Sequence, residues 1–124
     1  MTDPLRISIV DDDESVRESL ESLLKSLGYR VQLFESAEDF QEAGAARMAD
    51  CLILDMRLGG KSGLELRREL VEEGSTLPVI FITANGSDAL RKKLMEEGAV
   101  ECLFKPLTEE ALLAALDSAV GPRE

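Results

Sequence analysis

"CLILDMRLGGKSG", residues 51 to 63, sets the fold in its first five residues and the chemistry in the rest. "CLILD" is a short apolar run without alternation, the pattern of a strand buried on both faces. It ends in Asp55, passes through a glycine-rich turn and leads into Leu64, Leu66, Leu70 and Val71, whose spacing predicts a helix that Gly74 ends. A strand, a loop and a helix in that order are one unit of a parallel α/β sheet.

The same unit repeats on both sides. Four more apolar runs, "RISIV" (6–10), "RVQLF" (30–34), "PVIFIT" (78–83) and "ECLF" (101–104), read as strands. Between them, Val16, Leu20, Leu23, Leu24 and Leu27 form one helical stripe before Gly28, and Leu90, Leu94 and Met95 another before Gly98. Ala111, Leu112, Ala115, Leu116 and Ala119 mark a last helix, with Thr108 and Glu110 near its start. Residues 37–46 form the weakest helical segment, with Phe40 as its one large anchor. Five strands alternating with five helices predict a single flavodoxin-like (βα)5 domain over residues 1–124, with right-handed crossovers and strand order 2-1-3-4-5. The closing "GPRE" (121–124) reads as a frayed tail or as the point where a longer protein was cut.

Composition narrows the function. A formal charge of −11 argues against a nucleic-acid surface on this domain, since phosphate backbones are held by clustered Lys and Arg. The basic runs Arg67-Arg68 and Arg91-Lys92-Lys93 read as solvated helix faces. No stretch approaches the roughly 20 apolar residues of a membrane span, and no secretory pattern opens the chain, so a cytoplasmic protein is expected. Cys51 and Cys102 fall in apolar runs, as two buried free thiols would. There is no histidine, which excludes Ser-His-Asp and Cys-His catalysis and imidazole metal ligands. Any metal must be a hard cation on oxygen ligands.

In parallel sheets of this kind, ligands bind beyond the carboxyl ends of the strands, near the switch in strand order. The residues expected there are Asp11, Asp12, Asp13 and Glu14 after the first strand, Asp55 after the third, Thr83 on the fourth and Lys105-Pro106 after the fifth. Carboxylates about 4 Å apart repel by roughly 4 kcal/mol per pair at an effective dielectric near 20. A partly hydrated Mg²⁺ would remove that repulsion. With the Lys105 ammonium and the Thr83 hydroxyl, such a cation would surround a space beside Asp55 that fits a phosphoryl group, and a carboxylate can be a nucleophile towards phosphorus. Taken singly, "DDDES" could be no more than an acidic helix start, Asp55 a loop-entry residue, Thr83 a strand residue and Lys105-Pro106 a strand exit.

The strings "VDDDE" (10–14), "LILDMRL" and "SGLEL" (52–66), "VIFITA" (79–84), "EEGAVECLFKP" (96–106) and "ALLAAL" (111–116) together resemble a two-component response-regulator receiver domain over essentially the whole chain. The branch it resembles most usually carries a C-terminal helix-turn-helix output. The resemblance implies that Asp55 accepts a phosphoryl group from a phosphohistidine on a sensor histidine kinase, transfer and slow autodephosphorylation being catalysed by the receiver itself. It implies direct Mg²⁺ ligation by Asp12 and Asp55, a water-mediated role for Asp11, and a ligand from the Arg57 backbone carbonyl. Thr83 and Lys105 would contact the phosphoryl oxygens, Ala84 and Asn85 would modulate the site together with Arg57, and the Lys105–Pro106 bond would be cis. Output would pass through the fourth helix, fifth strand and fifth helix, possible faces for a phosphorylation-dependent homodimer. The chain departs from the family at Gly59, where a proline is usual, so the loop is expected to be mobile with Lys61 facing solvent. It departs again at Cys102, where an aromatic switch residue is usual.

Three other readings compete. "GGKS" (59–62) resembles the end of a phosphate-binding P-loop, but the pattern needs a glycine where Asp55 stands. Asp11-x-Asp13-x-Ser15 resembles the first motif of haloacid-dehalogenase-type aspartyl phosphatases, with Thr83 and Lys105 filling later motifs, but the later acidic pair is missing. A receiver-like interaction domain that is never phosphorylated would keep the fold alone.

Overall fold

The computed structural model describes residues 4–121. The elements are β1 (Arg6–Val10), α1 (Glu14–Ser26), β2 (Arg30–Phe34), α2 (Ala37–Glu42), a 3₁₀ turn (Ala45–Arg47), β3 (Cys51–Asp55), α3 (Gly63–Glu72), β4 (Val79–Thr83), α4 (Asp88–Glu96), β5 (Glu101–Phe104) and α5 (Glu109–Val120). All neighbouring strands are parallel, and their order is β2-β1-β3-β4-β5. This is the expected flavodoxin-like arrangement.

Each helix starts where a short polar side chain can satisfy the free N–H groups of its first turn. Asp13, Ser36, Ser62, Ser87 and Thr108 all accept hydrogen bonds from backbone N–H groups two or three residues on. The strands then divide the core by side-chain alternation. Ile7, Ile9, Ile53, Ile80 and Ile82 face Leu20 and Leu24 of α1 and Leu112 and Leu116 of α5. Val10, Leu52, Leu54 and Phe81 face Phe40 of α2, Leu66 and Leu70 of α3 and Leu94 of α4. Burying one such side chain fully contributes about 1.5–3 kcal/mol. β3 and β4 are buried at every residue, which is why their sequences do not alternate.

The departures from expectation have local causes. Gly44, at φ +65°, stops the second helical segment, so α2 ends at Glu42 and a separate turn follows instead of one helix over 37–46. β2 lies at the sheet edge and is half-buried to exposed rather than covered on both faces. Pro78 precedes β4 instead of joining it. Val71 is 50% exposed, because the inward stripe of α3 runs through Leu66 and Leu70 and the next residue points about 100° away.

Cys51 and Cys102 are free and buried on opposite sides of the sheet. Among the described residues, no helix is long and apolar enough to cross a membrane. Residues 122–124 of the anticipated tail lie outside the described residues.

Candidate functional site

The register places the acidic residues. Val10 pairs with Leu54, so the residues that follow, Asp11 and Asp55, emerge side by side at the carboxyl edge of the sheet. Asp55 in turn pairs with Ile82, which puts Thr83 one residue beyond it. One carboxylate oxygen from each of Asp11, Asp12 and Asp55 lies within 4.8 Å of the others. Asp11 and Asp55 are buried, at 0% and 5% exposure, while Asp12 is exposed.

Hydrogen bonds fix these carboxylates individually. Asp11 Oδ1 accepts the Asp13 N–H at 2.9 Å, and Asp55 Oδ1 accepts the Arg57 N–H at 3.1 Å. Lys105 Nζ reaches in from the end of β5, donating to Asp55 Oδ2 at 3.2 Å and lying 3.0 Å from Asp11 Oδ2. The second approach is an ion pair without hydrogen-bond geometry, so Asp11 Oδ2 is buried with charge compensation but no donor. At 4.8 Å the buried Asp11–Asp55 pair costs roughly 3.5 kcal/mol at an effective dielectric near 20, and with all three carboxylates ionised the single Lys105 ammonium leaves the cluster with a net negative charge.

The titration behaviour follows. Burial raises the Asp55 carboxyl above its ordinary value; the Arg57 N–H opposes this, the Asp11 charge adds to it, and Lys105 opposes it again. Burial would lower the Lys105 ammonium, but the close approach and charge of Asp11, with the charge of Asp55 and the bond to it, outweigh burial and raise it. The residues present fit a hard divalent cation: an all-oxygen set, excess negative charge and one buried oxygen lacking a donor. Asp13 does not join them. Its side chain caps α1, bonding the Ser15 and Val16 N–H groups, so the simple helix-start reading holds for that residue.

The other anticipated residues surround this centre. Thr83 is 1% exposed, and its hydroxyl oxygen accepts the Asn85 N–H at 3.2 Å. Its carbonyl accepts the Lys105 N–H at 2.8 Å, joining β4 to the lysine backbone. Ala84 and Asn85 are exposed on the β4–α4 loop, and the Arg57 side chain is exposed on the β3–α3 loop. The Lys105–Pro106 peptide bond is cis, as expected. Gly63 closes the β3–α3 loop: its N–H donates to the Met56 carbonyl at 3.2 Å, and an added Cβ would strike the Asp55 carbonyl oxygen.

Cys102 is buried on the α2–α3–α4 side, and its N–H donates to Glu101 Oε1 at 2.9 Å. Phe104, two residues on and so on the same side of β5, is 39% exposed, and its ring lies where a Cβ on Gly86 would be. An aromatic is therefore present on this side of β5, displaced by one pleat.

Lys61 corrects an expectation. It does not face solvent freely: its Nζ donates to Gln41 Oε1 at 2.6 Å and pairs with Glu69 at 2.8 Å. Glycines nearby suggested a free tip, but the acceptors come from α2, 20 residues back, and from the helix that follows the loop. Sequence reasoning also missed Arg17, whose Nη1 donates to the Asp11 carbonyl at 2.7 Å and whose Nη2 lies 3.6 Å from Glu35. Nothing in the periodicity of α1 separates it from the other polar residues. Arg91 is bound too, in a two-point pair with Glu101 at 2.7 and 2.9 Å; all three residues of that basic run are exposed, and among the described residues Lys92 and Lys93 have no such pair.

Comparison with known proteins agrees with this geometry. Residues 7–117 match the response regulator receiver domain family. The chain is 42% identical over 114 residues to the response regulator protein TmoT of Ectopseudomonas mendocina, covering 92% of this chain and 52% of TmoT. It is 39% identical over 121 residues to the transcriptional regulatory protein FixJ of Azorhizobium caulinodans, covering 98% and 57%. The chain thus spans about half the length of the curated relatives it matches. Among solved structures, the response regulator StyR superposes with a TM-score of 0.86 at 41% identity, covering 94% of this chain and 59% of StyR. FixJ-N superposes at 0.82 and 32%, covering 100% and 98%. The chain belongs to the response regulator receiver domain family, the phosphorelay receivers of two-component signalling.

Proposed function

We propose that Asp55 is the phosphoacceptor of this receiver, that the donor is a phosphohistidine on a sensor kinase, and that transfer depends on Mg²⁺ held by Asp11, Asp12, Asp55 and the Arg57 carbonyl. The observation that carries this reading is the buried Asp55 carboxylate, flanked by Asp11 and bonded to Lys105 at the carboxyl edge of the sheet. In the transfer, an Asp55 oxygen forms a P–O bond as the P–N bond to the imidazole breaks, its electron pair returning to nitrogen. When bound, Mg²⁺ would neutralise charge on the carboxylates and on the phosphoryl oxygens.

The chain's own residues supply the remainder. Oδ1 of Asp55 is held by the Arg57 N–H, which orients the carboxylate. Lys105 can follow the negative charge from the carboxylates to the incoming phosphoryl oxygens. Thr83 accepts from the Asn85 N–H, which leaves its hydroxyl proton free to donate to a phosphoryl oxygen. Ala84 leaves room beside it, and the exposed side chains of Arg57 and Asn85 would govern the approach of water and so the lifetime of the acyl phosphate.

The modified state would then shift an existing equilibrium of the face formed by α4, β5 and α5, where the half-exposed Phe104 and the free Lys92 and Lys93 offer a surface for a second copy or an output segment. A cytoplasmic setting fits this donor and the two unpaired, buried thiols.

The test is intact mass after incubation with acetyl phosphate and Mg²⁺, for wild type, Asp55→Asn and a chelated control. One phosphoryl addition requiring both Mg²⁺ and Asp55 is expected. No addition to wild type, with a cognate kinase also failing, would leave an interaction domain without a covalent switch.

A further inference from the structure

We propose that Lys61 is a positioning residue that straps the β3–α3 loop to α2 and α3, and so holds the Arg57 backbone in register with Asp55. The inference rests on the Mg²⁺-dependent phosphoacceptor reading and extends it to a residue outside the site.

The loop after Asp55 begins and ends under control. The Arg57 N–H is bonded to Asp55, and the Gly63 N–H closes back on Met56. Between them stand Gly59 and Gly60, two residues with wide backbone freedom, and Gly60 adopts φ +87°. Left alone, this segment would sample many conformations and carry the Arg57 carbonyl with it. Lys61 prevents that from three directions. Its backbone N–H donates to Glu38 Oε2 at 3.1 Å, and its Nζ donates to Gln41 at 2.6 Å and Glu69 at 2.9 Å.

Glu38 and Gln41 belong to α2 and Glu69 to α3, so one residue joins the loop to both helices that flank it. Gly60 is part of the same fit, because a Cβ there would lie 2.8 Å from Glu38 Oε2. The bonds also hold the acceptors ionised. Lys61 is the first cause of a lowered carboxyl in both Glu38 and Glu69.

Charge makes lysine suited to the position. Glu38 and Glu69 lie close enough to repel one another, in a chain of net −11. A neutral side chain at residue 61 would leave those two glutamates facing each other across the loop. Lysine supplies the donors and the compensating charge together.

The experiment compares wild type, Lys61→Met, Glu69→Gln and the double variant. Backbone amide exchange of residues 57–63 is followed in the metal-free protein, and Mg²⁺ affinity is measured from the amide shifts of residues 55–63. Lys61→Met is expected to speed exchange and to weaken Mg²⁺ binding by roughly 3- to 10-fold, below the 10- to 100-fold loss typical of groups bonded directly to a metal ligand. The double variant should be little worse than Lys61→Met alone, since Lys61→Met has already removed the contact with Glu69.

The phosphorylation rate should recover at saturating Mg²⁺. A rate that stays low at saturation would overturn the proposal, because the residue would then act on chemistry and not on the metal-binding loop. Wild-type exchange and wild-type Mg²⁺ affinity in Lys61→Met would overturn it outright. If wild type binds Mg²⁺ but takes no phosphoryl group, the phosphoacceptor reading fails, while exchange and metal affinity still decide the strap.

Discussion

Replacing Asp55 by Asn should stabilise the metal-free protein at neutral pH, and the size of the gain can be worked from the site. Ionised Asp55 is repelled by Asp11, whose nearest oxygen lies within 4.8 Å, by about 3.5 kcal/mol at an effective dielectric near 20. Exposed Asp12 adds about 1 kcal/mol at a dielectric near that of water. Lys105, at 3.2 Å, attracts it by about 5 kcal/mol at the lower dielectric. These nearly cancel, so burial decides the sign. Desolvating the carboxylate costs several kcal/mol, and the Arg57 N–H returns only part of that, about 1.5–3 kcal/mol for a bond to a charged group. Asn keeps the shape and an acceptor for Arg57 without the charge. A net gain of about 1–2 kcal/mol follows, a rise of roughly 3–10 °C in Tm for a domain of this size.

The pH dependence has a definite sign. Burial raises the Asp55 carboxyl above its unfolded value near 3.9, so the folded protein binds that proton more tightly. The stability linked to it is present in full below pH ~4 and is lost as pH rises through the folded value. The advantage of Asn should therefore be largest at pH 7 and fade towards pH 4. Mg²⁺ should close the gap from the other side, since a ligand at ten times its Kd stabilises the binding form by about 1.4 kcal/mol. Thermal unfolding followed by circular dichroism, in chelator and in Mg²⁺, measures all three effects. An Asn variant no more stable than wild type in chelator at pH 7, or a gain unchanged down to pH 4, would refute this account of the site.

Two further outcomes follow from local packing. Gly86→Ala should destabilise by about 1–3 kcal/mol, because the added methyl meets the Phe104 ring, and should cost much less when introduced into Phe104→Ala; an equal cost in both backgrounds by urea unfolding would show that the ring is not what the methyl meets. Neither thiol should react with iodoacetamide at pH 8 in the native state, since burial pushes Cys51 up to about 12 and also raises Cys102; two adducts in urea and none without it is the expected mass pattern, and a native adduct on either would contradict it.

The family's usual aromatic on β5 is absent at Cys102, yet Phe104 holds the same side one pleat further on, against the loop that follows Thr83. The sequence shows both residues plainly. It does not show that Gly86 lacks a side chain at the point where that ring lies. Only the packing of β5 against the β4–α4 loop makes Phe104 a neighbour of the site's approach.

What the sequence by itself determined was everything written in a short period. "CLILD" and "VIFIT" are apolar at every position because both faces of the central strands are covered, and the helices carry stripes at 3.6-residue spacing closed by glycines. Strands alternating with helices give a parallel sheet, and the flavodoxin-like order expected at this length brings Asp11, Asp12, Asp55, Thr83 and Lys105 to one edge. The tertiary structure decided what depends on single distances between segments far apart in sequence. It made Asp11 a buried partner of Lys105 and drew Lys61 onto Gln41, 20 residues away, whereas the Asp13 cap is a local contact. Periodicity reports which face a residue takes, because burial of a face is a collective property of many residues. A hydrogen bond between one long side chain and another depends on ångström-scale placement of two backbones, and no local pattern encodes that.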